Sequence, residues 1–368
     1  MDFNLSEDHQ LLSDSLRRFL AENYDIETRN RTAYAAPFHA PETWSALAEL
    51  GVIGAFVPEG QGGYGGTADD VAVIFEELGR GLCSEPMLGT LLGLRLLAAL
   101  GQTDLAARVI DGETRVALAV SEPQVACDLS CLQATARCEG DVWRLSGRKS
   151  AVYGAPGADL VLVVARLADA GENAALGLFL IHAPESIAAP MIDGGGIADI
   201  VLDGLQAECL STDCAELVED ALDLGRIALC AEAVGAMSHL IEITIDYLRQ
   251  RKQFGRTLAS FQALQHRVVD MVVEREQCRS ITIAAVAAYG TPAQARTVSM
   301  AKNLIGRMGS WIAEEAIQLH GGIGMTWEYP GSHYAKRLVM IDHQLGDRND
   351  HVLRMIRLKP GAPPAEAA

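Results

Sequence analysis

The chain has 368 residues, a formal net charge of −18, and 49% hydrophobic against 21% charged residues. That length builds two or three domains, each with a sizeable core. The negative charge argues against nucleic acid and against an anionic membrane surface as partners, because both would repel it.

The start, MDFNLSEDHQ, is acidic and polar, unlike a signal or transit peptide. From residue 6 to about 112 the pattern is helical. Leu12, Leu16, Phe19 and Leu20 mark one apolar face after Ser6, the predicted N-cap. Trp44, Leu47 and Leu50 continue the pattern, as do Val71, Ile74, Phe75 and Leu78. The glycine-rich stretch PEGQGGYGG, Pro58 to Gly66, lacks the Lys-Ser/Thr ending of a phosphate loop and reads as a plain loop. The apolar run from Leu88 is too short to span a bilayer and carries Arg95. Between about 115 and 210 short β-rich runs appear (RVALAV, VWRLSG, ADLVLVVARL, LGLFLIHA), which predict an antiparallel sheet or barrel. From Ala215 long helical segments return, about 216–249, 258–288, 293–319 and 334–356, separated by turn residues. Short connections between long amphipathic helices predict an up-down four-helix bundle. The tail KPGAPPAEAA is predicted to be disordered. The eight cysteines form no CxxC pair, and Cys127 and Cys131 lack histidines at metal spacing. Reduced thiols in a cytoplasmic protein and no metal site are expected.

Two stretches of the bundle are distinctive: YLRQRKQFGRTLASFQALQHRVVDM from Tyr247 and AIQLHGGIGMTWEYP from Ala316. Together they resemble the C-terminal domain of the flavin-dependent acyl-CoA dehydrogenases, and the helical–β–helical order extends the resemblance over nearly the whole chain. The resemblance implies a mainly α fold with a central β domain. Its parts are an N-terminal helical domain (1–112), a middle antiparallel β-barrel (113–212), a C-terminal four-helix bundle (213–358) and a tail (359–368). LCAEAVGAM, RKQFG and GGIGMT are similar to the small subunits of heteromeric dehydrogenases of the pimeloyl-CoA type. The likeness also implies FAD as cofactor, whose pyrophosphate needs a fixed cation and hydrogen-bond donors. In the family, the arginine two places before Gln-Phe-Gly meets the pyrophosphate of a flavin held mainly by the neighbouring subunit. Here it is Arg251, with Phe254 near the adenosine. Gln318, Gly321 and Gly322 let backbone approach the same dinucleotide.

The likeness fails at the base and at the flavin ring. In the family a carboxylate removes the α proton of an acyl-CoA thioester. Aligning the family's Glu-Gly-Thr step on Gly346 puts Leu345 at the base position. The other family position, in the first bundle helix, holds Gly225. The Thr/Ser-Glu-Pro-Gly-x-Gly-Ser-Asp stretch appears as SEPQVACD, keeping Ser121, Glu122, Pro123 and Asp128. Ala151 and Tyr153 stand where the ring-facing Trp and small hydroxyl residue belong. What is lost serves the ring and the base; what is kept serves the dinucleotide end. The expectation is a supporting subunit that shares FAD with a homologous large acyl-CoA dehydrogenase subunit. It would act on a bulky or dicarboxylic acyl-CoA and pass electrons to an electron-transferring flavoprotein. Two rivals stand beside it. One is a self-sufficient homotetramer with a relocated base, for which Glu232 is the candidate unless it pairs with a bundle arginine such as Arg275. Asp342 and Asp347 are weaker candidates. The other is a non-catalytic scaffold.

Overall fold

The computed structural model describes residues 5–125, 128–168 and 175–358, so Cys127 and the tail from 359 lie outside the described residues. Ser6 starts the first helix as predicted. Its side chain accepts from the His9 N–H at 3.1 Å, and Glu7 and Asp8 complement the helix dipole. α1 (Glu7–Asn23) buries Leu16 and Leu20. α2 (Ile26–Ala33), α3 (Pro41–Glu49), α4 (Ala68–Arg80), α5 (Met87–Ala99) and α6 (Thr103–Ile110) complete the N-terminal helices. α5 is buried nearly throughout. Its Arg95 works internally, donating to the carbonyls of Gly66 (2.9 Å) and Phe56 (3.4 Å). Arg95 thereby anchors the end of the Pro58–Gly66 stretch, a loop with one 3-10 turn at Glu59–Gln61.

Seven strands follow: β1 (Val116–Ala119), β2 (Thr135–Glu139), β3 (Val142–Tyr153), β4 (Leu160–Leu167), β5 (Leu176–His182), β6 (Ser186–Pro190) and β7 (Gly196–Ser211). The pairings β4–β2–β3–β7–β5–β4 close on themselves, so the sheet is a barrel, with β1 added to β4 and β6 to β7. Closure removes the exposed edges that a short-stranded sheet would otherwise present. The expected antiparallel pattern holds except at β4, which β1 and β2 join in parallel. The chain leaves β1, turns through the β2–β3 hairpin and returns beside β1 in the same direction. Ala117, Ala119, Val161, Val163, Phe179, Ile181, Ile200 and Leu202 fill the interior.

α7 (Ala215–Gln250) is long and apolar enough to cross a membrane by composition, but 83% of that apolar window is buried within the protein. A two-stranded hairpin, β8 (Lys252–Gln253) and β9 (Arg256–Thr257), leads to α8 (Gln262–Ala288) and α9 (Gln294–His320). The last predicted helix, 334–356, is two helices: α10 (Pro330–His343) and α11 (Arg348–Arg357). The chain breaks where Leu345 and Gly346 take φ of +55° and +96°. Asp347 restarts it with a capping box. The described residues pack as two units: residues 5–26, 71–83 and 226–358 in one, 27–70 and 84–225 in the other.

Candidate functional site

The two distinctive motifs are adjacent in the fold. Tyr247, in the last turn of α7, packs against His320 at the end of α9 with ring centroids 4.8 Å apart and the rings tilted by 40°. Tyr329 closes the cluster, 4.8 Å from His320 and 6.4 Å from Tyr247. Arg251 lies one turn beyond this ring pair, its N–H bonded to the Tyr247 carbonyl at 2.8 Å. The hairpin then turns through Phe254 and Gly255, with φ of +54° and +78°. Both central residues are left-handed, the geometry that matches strand twist in a two-residue hairpin. Phe254 is strained there as a non-glycine, and it is 88% exposed. Arg251 and Gln318 are exposed too, and their side chains make no hydrogen bond or ion pair with any described residue.

The glycine pair divides its roles. Gly321, at φ +68° and ψ −146°, occupies backbone space that a side chain would strain, and its N–H caps α9 at Ile317. Gly322 has no positive φ, and a Cβ built there meets no atom within 4 Å. Nothing within the described chain requires glycine at 322.

The base positions hold no acid. Leu345 is buried and its carbonyl accepts from Arg226 Nε at 3.1 Å. Lys302, fully buried, donates to the carbonyls of Ile341 (2.6 Å) and Gln344 (2.8 Å). The Gln344 side chain accepts from Arg337 at 2.8 Å. Three cations thus hold the turn between α10 and α11 by its backbone and side-chain carbonyls, which is why the helix breaks there. Asp342 pairs with Arg348 at 2.5 Å, and Asp347 caps α11. Both serve the turn. Gly225, on α7, supplies no side chain.

Glu232 is not positioned as a relocated base. Both its oxygens meet Arg337, at 2.6 Å to Nε and 2.6 Å to Nη2, and it is 4% exposed. A buried carboxylate needs such a partner, and a bidentate guanidinium supplies it. The partner is Arg337 rather than the expected Arg275. Arg275 donates to Ser238 (3.2 Å) and pairs with Glu276 (2.9 Å).

In the barrel the retained motif residues are structural pins. Lys149 is fully buried, 2.7 Å from Glu122 and 2.9 Å from the Val120 carbonyl. Glu122 also accepts from the N–H groups of Gln133 (2.6 Å) and Ala134 (3.0 Å). Asp128 caps the short turn at Ser130. Ala151 sits on a bulge of β3 at φ +52°, its N–H bonded to Asp199 at 3.1 Å. Ser150 first, then the Ala151 N–H and Arg148, hold the Asp199 carboxyl below its usual range despite partial burial. The strand keeps its bulge, but Ala151 and Tyr153 occupy the positions where the family's tryptophan and small hydroxyl residue belong.

Comparison with known proteins identifies the class. Residues 6–113 match the acyl-CoA dehydrogenase N-terminal domain, 117–200 the middle domain and 215–344 the C-terminal domain. The chain belongs to the acyl-CoA dehydrogenase family. It is 27% identical over 352 residues to the acyl-CoA dehydrogenase IpdE2 of Mycolicibacterium smegmatis, covering 95% of this chain and 98% of that one. Among solved structures, a variant of the steroid acyl-CoA dehydrogenase Tcur3481–Tcur3483 aligns with a TM-score of 0.86 and 30% identity, over 95% and 96% of the two chains. PigA with FAD and proline aligns at 0.86 and 26%, over 97% and 98%. The ChsE4–ChsE5 complex of Mycobacterium tuberculosis aligns at 0.88 over 98% and 100%, and at 21% identity it shows the fold. FAD is the cofactor typical of the family. The exposed Arg251 and Gln318 and the open backbone at Gly322 fit its dinucleotide end.

Sequence reasoning does not single out Tyr247, His320, Tyr329 or Arg337. The first three lie inside the quoted motifs, so their position is the available signal. The partnership of Arg337 with Glu232 spans 105 positions and leaves none.

Proposed function

We propose that this chain is the supporting subunit of a heteromeric acyl-CoA dehydrogenase. Its Arg251, Phe254, Gln318, Gly321 and Gly322 hold the dinucleotide end of FAD in a site completed by a homologous, base-bearing subunit. The observation that carries the reading is the contrast between two sets of residues in one unit. The dinucleotide elements are intact and exposed, and the Arg251 and Gln318 side chains have no internal partners. At the usual base position the buried Leu345 sits in a turn whose carbonyls are fixed by Arg226 and Lys302. Leucine cannot accept a proton, and that turn is not free to offer another residue.

Bound FAD supplies the hydride acceptor. This chain contributes a guanidinium to the pyrophosphate, backbone to the dinucleotide and a flat ring at the hairpin tip. The partner contributes the α-proton acceptor. Similarity to a steroid acyl-CoA dehydrogenase named for two gene products supports both the divided architecture and a bulky acyl-CoA. Electron-transferring flavoprotein is the proposed acceptor, and the cytoplasm the proposed compartment. The test is flavin content. The chain purified alone should be colourless, and the complex with its large subunit should hold one FAD per pair. A lone chain with one FAD per protomer that bleaches on adding an acyl-CoA would overturn the proposal.

A further inference from the structure

Gly321 and Gly322 follow directly on His320, and the His320 ring joins the two motifs. Its Nδ1 lies 2.7 Å from the Ala316 carbonyl and its Nε2 2.6 Å from the Tyr329 hydroxyl. A carbonyl only accepts, so Nδ1 carries the proton and Nε2 accepts from Tyr329. Burial supports that assignment at both ends. It lowers the pKa of His320 against the opposing hydrogen bonds, and it pushes the Tyr329 hydroxyl up to about 12. The bond joins the two ends of the 321–328 segment. Tyr329 is itself fixed, because its carbonyl accepts from Ser332 Oγ at 2.9 Å and a Cβ on Gly331 would meet its ring at 2.8 Å. The His320 ring also packs against Tyr247, one turn before Arg251, with the two rings tilted by 40°.

We propose that His320, locked between Tyr329 and Tyr247, is the positioning residue that sets the Gly321–Gly322 backbone in register with Arg251 for dinucleotide binding. The inference rests on the reading of these motifs as a dinucleotide site and adds what orients them. Neither His320 nor Tyr329 needs to touch the flavin. The imidazole fixes the exit angle of α9, and the phenol fixes the return of the loop. Without the bond, the glycine turn, which has no side chains of its own to pack, samples other backbone conformations.

The test uses Tyr329→Phe, which removes one hydroxyl and keeps the ring, and His320→Phe, singly and together, with Arg251→Ala alongside. In the lone chain, amide deuterium exchange of residues 321–326 should rise about tenfold in each variant, with α8 unchanged. In the complex the FAD dissociation constant should rise about tenfold while kcat at saturating FAD stays put. Tyr329→Phe should add nothing once residue 320 is Phe. Unchanged exchange at 321–326 overturns the proposal. So does unchanged FAD affinity in Tyr329→Phe when Arg251→Ala weakens it, an outcome that leaves the dinucleotide reading standing. A wild-type complex without FAD removes that reading and this proposal with it.

Discussion

Glu232 illustrates how a single residue can invite a catalytic reading that its surroundings withdraw. It lies two helical turns past Gly225, on roughly the face where a base would help, yet both oxygens point at the Arg337 guanidinium. Removing one partner of a buried pair leaves an uncompensated charge, at about 3–5 kcal/mol. Glu232→Gln should therefore lower the urea-unfolding free energy by about 3 kcal/mol, and Glu232→Leu with Arg337→Leu should cost less than either change alone. Lost turnover with unchanged stability would restore Glu232 as a base. His351 makes a second prediction, in pH. It is 2% exposed; burial first, then Arg226, Lys302 and Arg354, push its pKa down to about 2. Between that value and the unfolded value of about 6.5 the unfolded chain binds a proton the folded chain refuses, so stability falls as pH falls. His239 and His320, also lowered by burial, act in the same direction. Unfolding measured from pH 7 to pH 5 should show stability declining, with a limiting slope near 1.4 kcal/mol per pH unit from His351 and contributions of the same sign from His239 and His320. His351→Leu should flatten that slope by about one proton's worth.

At the scale of elements, glycine marks two opposite things. α4 and α7 cross at backbone contact: a Cβ on Gly79 would lie 1.9 Å from the Glu232 carbonyl oxygen, and one on Gly235 1.9 Å from that of Glu76. Gly235→Ala should destabilise by about 3 kcal/mol, the upper end for overpacking, although alanine is the better helix former. Gly322→Ala should leave the lone chain's unfolding free energy within about 0.5 kcal/mol of wild type and still weaken FAD binding in the complex, because only a ligand meets the new methyl. Equal destabilisation by both substitutions would sink the distinction. The same contrast explains what can be read from sequence. The long helices, the Ser6 cap and the β-rich middle are written in local periodicity and capping chemistry, and they stand where expected. Arg251, Gln318 and the glycines lie inside contiguous motifs, and that contiguity is what makes them candidates. The break at Leu345 is not legible, because it depends on Arg226 and Lys302, 119 and 42 positions away, reaching the turn's carbonyls. The parallel pairing of β4 with β1 and β2 and the Glu232–Arg337 bond are hidden for the same reason.

For the whole molecule, charge and the proposed division of labour meet at Arg251. A chain with a net charge of −18 repels a pyrophosphate, so its affinity for one depends on local cations. Arg249, Arg251, Lys252 and Arg256 fall within one helix end and hairpin, and Arg251 has no acidic partner among the described residues to neutralise it. If the chain only supports a site whose proton chemistry lies in its partner, binding and turnover must separate under mutation. Arg251→Ala should raise the complex's FAD dissociation constant by about 10- to 100-fold, the range for losing one charge-assisted phosphate contact. At saturating FAD, kcat should stay within about twofold, because the arginine stabilises bound cofactor equally before and during the reaction. The affinity loss should also shrink as ionic strength rises, since an exposed cation is screened over about 10 Å at 0.1 M salt. Titrating FAD into the apo-complex at two salt concentrations, with turnover measured on the same samples, tests both. A fall in kcat that excess FAD does not restore would mean that Arg251 acts on the reacting atoms, and that this chain carries part of the chemistry assigned here to its partner.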